Sequence, residues 1–223
     1  SLEEVVSANA LKNPDILEVG QQLTIPVPTP FGVGPSFKII PDSELVYGPT
    51  SARFDIDQFI QSKRGYLAQY REEVNEKTLT GSQIIQRVAQ DYSVNPRLLL
   101  AALEYQSGWV TNPSPSNIDF PLGNYEAFYA GLYRQLAWTA DNLNRGYYLW
   151  RANAISTLLL GDGSYVPLSA TVNAGTMGVQ YFFALYNNRA SWDLDVSGSG
   201  LYQTYSELFG SPFALDVVFF RPA

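Results

Sequence analysis

Residues 98–109 read LLLAALEYQSGW, and this stretch is the most informative part of the sequence for the fold. Asn95 and Pro96 precede it, and they suit the N-cap and the first position of a helix. Gly108 suits the residue that ends a helix, because glycine adopts the left-handed conformation without strain. The stretch therefore predicts a helix from Pro96 to Ser107 whose leucines and alanines lie in the protein core.

The composition narrows the classes of partner. The chain has 223 residues, of which 46% are hydrophobic and 16% are charged, and its net charge is -7. Such an acidic chain lacks the excess of lysine and arginine that binding to nucleic acid or to anionic lipid requires. No run of about 18 apolar residues occurs, so we expect no membrane span. Few charges together with many Tyr, Asn, Ser and Thr residues favour an extracellular protein.

Two residue types are absent from the sequence, which contains no cysteine and no histidine. Their absence excludes a disulfide framework, a thiol nucleophile and a Ser-His-Asp arrangement. It also removes the usual zinc ligands, and we expect neither a metal nor a cofactor. Any catalysis would rest on carboxylates, which leaves glycoside cleavage or no chemistry at all.

Periodicity and capping residues predict a mainly helical α+β fold. Thr80 and Gln83 form the pattern of a capping box, which opens a helix that ends near Tyr92. An apolar face that includes Phe128 predicts a longer helix over residues 126–144. Turn residues and flanking strands predict a β-hairpin over 155–168. We also expect helices at 55–63, 176–186 and 201–209, an extended segment at 37–47 and a polar turn at 193–198.

The end of the central helix resembles the catalytic helix of lysozyme-like lytic transglycosylases. In that family an apolar run closes on Glu-Ser-Gly-aromatic, and the corresponding residues here are Gln106, Ser107, Gly108 and Trp109. A second stretch, NAGTMGVQ at 173–180, resembles the segment that frames the family's cleft, with Gln180 at the glutamine position. The resemblance covers residues 80–210 and implies a lysozyme-like domain in which Gln106 occupies the position of the catalytic glutamate.

An amide at position 106 changes what the resemblance implies. A glutamine side chain has no proton to give to a glycosidic oxygen at neutral pH, whereas a carboxyl group with a raised pKa does. Glu104 lies about 200° around the helix from Gln106, so the two point to nearly opposite sides. We favour a solvated carboxylate, or one paired with Arg97, as the interpretation of Glu104. The alternative is an active peptidoglycan glycosidase or lytic transglycosylase that uses Glu104, with Gln180 orienting the substrate.

Residues 1–28 resemble the second half of a LysM module, a small unit that binds N-acetylglucosamine polymers. The resemblance is carried by LEEVVSANAL at 2–11, by the Asn13-Pro14-Asp15 turn and by VGQQLTIP at 19–26. We expect Gly20 to let the chain reverse into a strand at 22–26. Because the first strand and helix of the module are missing, that strand would pair with an upstream segment or with another copy of the chain.

The domain organisation follows from these segments. A Pro/Gly-rich linker, PVPTPFGVGP at 26–35, follows the half module. We divide the chain into a partial LysM module at 1–28, a linker and entry segment at 29–50 and a lysozyme-like domain at 51–223. The half module and the linker suggest a homo-oligomer or filament that pairs through the strand at 22–26. The first residues read as the inside of a helix, so we expect a segment upstream of Ser1.

The functional prediction is a non-catalytic protein, secreted to the outside or the cell surface of a bacterium. It would bind peptidoglycan or a related N-acetylglucosamine glycan, or serve as a subunit of a surface assembly. Rings such as Tyr129 and Trp138 would suit stacking on sugars, although core or interface positions are commoner for such residues. An accessory domain of a longer cell-wall enzyme is a third hypothesis. The candidate glycan-binding residues are Gln106, Ser107, Trp109, Gln180, Asn13 and Asp15.

Overall fold

The described part of the chain is dominated by helices. A computed structural model describes residues 5, 6, 9, 11, 13, 14, 16, 20–24, 33–49 and 51–214. In these residues from 42 onward, the helices are α1 (Asp42–Leu45), α2 (Ile56–Lys63), α3 (Tyr66–Gln69), α4 (Gly81–Asp91), α5 (Pro96–Ser107), α6 (Leu132–Arg151), α7 (Ala174–Ala184), α8 (Arg189–Asp195) and α9 (Leu201–Phe209). Short 3-10 helices cover Ser51–Arg53 and Ala127–Tyr129. The predicted class, α+β and mainly α, is confirmed.

Two antiparallel hairpins supply the β structure of the described residues. Strands β1 (Arg71–Val74) and β2 (Lys77–Thr80) pair with Arg71 opposite Thr80. Strands β3 (Thr157–Leu159) and β4 (Tyr165–Pro167) pair with Thr157 opposite Pro167. The sequence predicted the second hairpin, which is confirmed, but it did not predict the first. Residues 75 and 76 join β1 to β2 with φ of 52° and 63°, which suits a two-residue hairpin turn.

Helix α5 lies at the centre of the core, as predicted. All six residues from Leu98 to Leu103 are at most 1% exposed. The Asn95 side chain accepts a hydrogen bond from the Arg97 N–H at 3.0 Å, and Gly108 ends the helix with φ of 69°. The predicted capping box of α4 is confirmed as well, with Thr80 bonded to the Gln83 N–H and the Gln83 side chain bonded to the Thr80 N–H.

Helices α6 and α7 approach each other closely through two glycines. A Cβ atom added to Gly146 would lie 2.4 Å from the Tyr181 Cβ and 3.0 Å from the Gly178 Cα. A Cβ atom added to Gly178 would lie 2.7 Å from the Leu143 carbonyl oxygen. Such contacts are too short for any side chain larger than hydrogen, so the two glycines set how closely α6 and α7 pack.

The helix predicted over 126–144 had wrong boundaries. It begins instead at Leu132, because Gly131 has φ of 96° and breaks the helical path before it. The Glu72 carboxylate accepts a hydrogen bond from the Tyr133 N–H at 3.0 Å, and an anion at this helix end is favourable. Phe128 therefore lies outside the helix and is exposed rather than part of an apolar face.

Two shorter segments also differ from the predictions. The segment at 37–47, expected to be extended, contains helix α1. Its buried Glu44 accepts hydrogen bonds from the Asn95 side chain at 2.8 Å and from the Tyr205 hydroxyl, and these contacts connect α1 with α5 and α9. The turn expected at 193–198 begins inside helix α8, where the Asn188 side chain accepts a hydrogen bond from the Ser191 N–H at 3.0 Å and caps the helix.

Only part of the predicted LysM half belongs to the described residues. Asn9 connects the two ends of this segment, since its side chain donates to the Thr24 carbonyl and accepts from the Thr24 N–H, both at 2.6 Å. Gly20 has φ of 88°, in agreement with the predicted reversal. The predicted strand at 22–26 extends beyond the described residues. Most of the linker and Asp15 lie outside them. The LysM module and the oligomer through that strand therefore stay predictions.

Over the described ranges, no helix has the length and apolar character that crossing a bilayer requires.

Candidate functional site

An open cleft lies beside the C-terminal end of α5. Its volume is about 380 Å³, and it is bounded by the segment 123–126, by helix α6 and by the end of α7. Amides and aromatic rings dominate its walls, and Glu126 is the lining residue that carries a charge. The lining residues are Gly123, Asn124, Tyr125, Glu126, Trp138, Asn142, Leu185 and Tyr186.

The cleft is linked to α5 by Tyr186. The Gln106 side chain, in the last turn of α5, donates a hydrogen bond from Nε2 to the Tyr186 hydroxyl oxygen. Burial raises the pKa of the Tyr186 phenol well above its usual range, so the phenol stays protonated at neutral pH. Among the described residues, Gln106 is the hydrogen-bond partner of this hydroxyl.

A second set of hydrogen bonds, next to the first, connects α5 with α8 and with the segment that follows α7. The Asp195 carboxylate accepts hydrogen bonds from the Tyr105 hydroxyl and from the Asn187 side chain, both at 2.6 Å. Burial raises the pKa of the Asp195 carboxyl, while the two hydrogen bonds act in the opposite direction. Asp195 is not among the residues that line the cleft. The two carboxylate oxygens of Asp195 connect α5, the segment after α7, and α8 behind the cleft.

Helix α6 supplies one wall through Trp138 and Asn142, one turn apart. The Trp138 ring lies 6.2 Å from the Tyr186 ring and 5.6 Å from the buried Phe182 ring, which holds it in place. Asn142 is only 8% exposed and donates from Nδ2 to the Trp138 carbonyl oxygen at 2.8 Å. Its Oδ1 has no hydrogen-bond partner within the described ranges, so the cleft wall contains an unused acceptor.

The opposite rim is held by one buried amide. Gln135 donates from Nε2 to the carbonyl oxygens of Asn124 at 2.7 Å and Tyr129 at 3.0 Å. Its Oε1 accepts from the Leu122 N–H at 3.0 Å. These bonds fix the irregular segment 122–129 on α6, because a buried amide with all its groups paired is costly to move. Tyr125 therefore stands at a defined place on the rim although it is 71% exposed.

None of the predicted site residues that the structure describes is among those that line this cleft. Gln106 reaches it through Tyr186, and Ser107 lies next to Gln106 with its hydroxyl donating to the Leu103 carbonyl at 3.0 Å. Trp109 is fully buried, and its Nε1 donates to the Asn117 carbonyl at 2.8 Å. A side chain without exposed surface has no face for a sugar, so Trp109 is a core residue in this structure.

Gln180 also lies away from the cleft surface. It is 1% exposed and donates from Nε2 to the Pro35 carbonyl oxygen at 3.2 Å. The segment around Pro35 covers it, since the neighbouring Gly34 N–H donates to the Pro167 carbonyl at 2.8 Å. Asn13 is exposed in the N-terminal segment, and Asp15 lies outside the described residues.

Glu104, the alternative catalytic residue, is bonded to the turn that follows α5. Its carboxylate accepts hydrogen bonds from the backbone N–H groups of Val110 at 2.9 Å and Thr111 at 3.1 Å, and from the Thr111 hydroxyl. From the sequence we favoured a carboxylate that is solvated or paired with an arginine, and the structure shows these contacts to the turn instead. They favour a structural role, because the carboxylate completes the hydrogen bonding of a turn that has no regular structure.

A second cleft, of about 490 Å³, lies between α2 and α4. Its polar side chains already serve the local structure. Asp55 caps α2 by accepting from the Gln58 N–H at 2.9 Å, Asp57 accepts from the Ser82 hydroxyl at 2.7 Å, and Gln83 belongs to the capping box of α4. No group of three acidic side chains that could hold a metal occurs in the part of the chain that the structure describes.

Several residues of the cleft were not found from the sequence. Tyr125, Asn142 and Tyr186 line it, and Gln135 positions its rim. Gln106 and Tyr186 are 80 positions apart, so no local pattern links them. The one available signal for Gln135 was its position on the inward face of a predicted helix, because a buried amide needs hydrogen-bond partners.

The comparisons with known proteins add one match. A family model described as LasA, N-terminal domain, matches residues 38–219, which includes every residue of the cleft. Neither the curated proteins nor the solved structures gave a match.

Proposed function

Because the chain belongs to the LasA N-terminal domain family, a family of secreted bacterial staphylolytic proteins, we propose that it is a non-catalytic glycan-binding domain. In this proposal it acts outside the cell and binds peptidoglycan or a related N-acetylglucosamine polymer. As the family description speaks of an N-terminal domain, we place it in a longer cell-wall-directed protein whose chemistry another part performs. Membership of the family supports only the general part of this proposal, namely a secreted protein related to the cell wall.

The cleft beside Gln106 is the observation that carries the proposal. It presents an unused acceptor on Asn142 and the rings of Tyr125, Trp138 and Tyr186. Sugars expose hydroxyl and acetamido groups at their edges and C–H groups on their faces, so they need this combination of hydrogen-bonding groups and aromatic surface. A cleft that is nearly free of charge suits a neutral polymer.

The arrangement of carboxylates around the cleft supports the proposal that the domain binds a glycan without cleaving it. Glycoside hydrolysis generally uses two carboxyl groups on either side of the scissile bond. Of the described carboxylates, Glu126 lines the cleft, while Glu104 and Asp195 are occupied by hydrogen bonds that hold the fold together. Gln106 offers an amide where an acid would be needed. The competing hypothesis of an enzyme that uses Glu104 would require those bonds to Val110 and Thr111 to be released.

Co-sedimentation with purified peptidoglycan tests the proposal. We expect the parent chain to bind and Tyr125→Ala to weaken binding by about tenfold, since an exposed aromatic contact contributes on the order of 1 kcal/mol. Tyr148→Ala is the matched control, because Tyr148 is 59% exposed and lies elsewhere on α6. Equal losses in both variants, or no binding by the parent, would remove the proposal.

A further inference from the structure

A row of aromatic rings leads out of the cleft. It consists of Phe128, Tyr129, Trp138 and Tyr186, and we call it the aromatic row. Successive ring centroids are separated by 5.1 Å from Phe128 to Tyr129, 6.3 Å from Tyr129 to Trp138 and 6.2 Å from Trp138 to Tyr186. Only the inner two of these residues line the cleft. The outer two continue the aromatic surface beyond it.

The outermost ring is exposed and yet held in place. Phe128 is 67% exposed, so its ring is open to contact from outside the protein. The Arg134 guanidinium lies 4.8 Å from the centre of the ring, and its Nη1 donates to the Phe128 carbonyl oxygen at 2.7 Å. The same arginine thus fixes the backbone and the ring of Phe128. A fixed aromatic ring loses little conformational freedom when it binds a ligand.

The next ring of the row is fixed from inside the protein. The Tyr129 carbonyl accepts a hydrogen bond from the buried Gln135, and the Tyr129 ring packs edge-on against Phe128. Tyr129 remains partly exposed, as do Trp138 and Tyr186. The row is therefore a narrow line of fixed rings rather than a broad apolar patch, and a stable protein partner would need a much larger surface.

We infer that the glycan site extends along the aromatic row, so that it binds an internal stretch of several sugar units rather than a single sugar or a chain end. This inference rests on the proposed function of the cleft. Each step between rings is comparable with the length of one pyranose unit, so successive sugars of one chain contact successive side chains. Phe128 is then a residue that determines the length of chain recognised, and Tyr186 marks the inner end of the site.

A length series of N-acetylglucosamine oligomers tests the inference by calorimetry. For the parent chain we expect the tetramer to bind about tenfold more tightly than the dimer. Phe128→Ala should remove this gain and leave the affinity for the dimer unchanged, because only the longer oligomer reaches the outer ring. Phe128 is exposed, so the variant is expected to fold, and a circular dichroism spectrum equal to that of the parent checks this. Tyr148→Ala should retain the gain.

Each contrary result has its own meaning. Equal affinities of the parent for dimer and tetramer would overturn the inference, and so would a Phe128→Ala variant that binds every oligomer as the parent does. If peptidoglycan still co-sediments with the parent while no oligomer binds, the extended site is wrong and the proposed function stands. If peptidoglycan itself is not bound, the proposed function fails.

Discussion

Gln106 shows how much chemistry depends on one side chain. An amide and a carboxylic acid have nearly the same shape, but only the acid gives a proton to a leaving oxygen. In this structure the amide donates its N–H to the Tyr186 hydroxyl, and Tyr186 is one of the residues that line the cleft. The sequence singled out this position through a resemblance to lysozyme-like enzymes, which stays a prediction. The partner of the amide became visible only in the structure.

Glu104 provides a test of the structural role of a carboxylate. Glu104→Gln loses the charge that strengthens the bonds to the Val110 and Thr111 N–H groups, so we expect it to lower the free energy of unfolding by about 1 to 2 kcal/mol. Urea denaturation measures the change. Glu73→Gln is the control, because Glu73 is exposed on β1 and should shift stability very little. Clearing of a peptidoglycan zymogram by the parent but not by Glu104→Gln would contradict this account and support the enzyme.

Asp195 should make stability depend on pH in a defined direction. Its pKa in the folded protein is raised above the ordinary value of 3.8, chiefly by burial. The folded state therefore holds the proton more tightly than the unfolded state, and the associated stability is fully present below pH 3.8 and is lost as pH rises through the raised pKa. Relative to Asp195→Asn, the parent should lose stability over that interval. Denaturation curves at a series of pH values measure the difference, and a difference independent of pH would show that Asp195 is not desolvated.

At the scale of helices and strands, local signals predicted most of what was confirmed. Thr80 with Gln83, and Asn95 with Pro96, fix two helix starts through contacts within a few residues. The start of α6 could not be predicted in this way, because it depends on Glu72, which is 61 positions before its partner Tyr133. The first hairpin was missed for a different reason. Its strands are short and carry mostly polar residues, so they show no alternating pattern.

The candidate site was less predictable than the helices for a physical reason. The sequence singled out Gln106 and Ser107 because they lie at the end of a helix with a recognisable sequence, but neither lines the cleft, and their role in binding stays a prediction. Tyr186, Asn142 and Tyr125 come from three other parts of the chain, and only the packing of α6 against α7 brings them to one cleft. Burial also decides which polar residues are available, and Gln180 is covered by a segment 145 positions earlier in the chain.

The close approach of α6 and α7 leads to a prediction at this scale. Gly146→Ala places a methyl group against Tyr181 and the Met177 carbonyl, so it should lower the free energy of unfolding by about 1 to 3 kcal/mol, although alanine favours helices. Thermal or urea denaturation measures the loss. Gly48→Ala is the matched control, because an added Cβ at Gly48 meets no atom within 4 Å and should be nearly neutral. A stabilised Gly146→Ala protein would show that the helices do not pack as described.

At the scale of the whole molecule, a mostly helical core supports a cleft whose rim is largely irregular. Helices α5, α6 and α7 contribute much of the buried core, while the cleft is made from Trp138 and Asn142 of α6, from the residues just after α7 and from part of the segment 122–129 that Gln135 fixes. A site of this kind is already formed before a ligand arrives, which reduces the cost of binding. The low charge of the cleft agrees with the acidic, weakly charged surface that the composition predicted.

The location of the ligand is the part of the account on which everything else depends. Hydrogen exchange of the backbone amides, measured by mass spectrometry with and without soluble peptidoglycan fragments, tests it most directly. The account predicts added protection at 123–129, 138–142 and 185–186, with little change elsewhere in the described chain. Protection at 54–57 and 82–90 instead, where the second cleft lies, would contradict it.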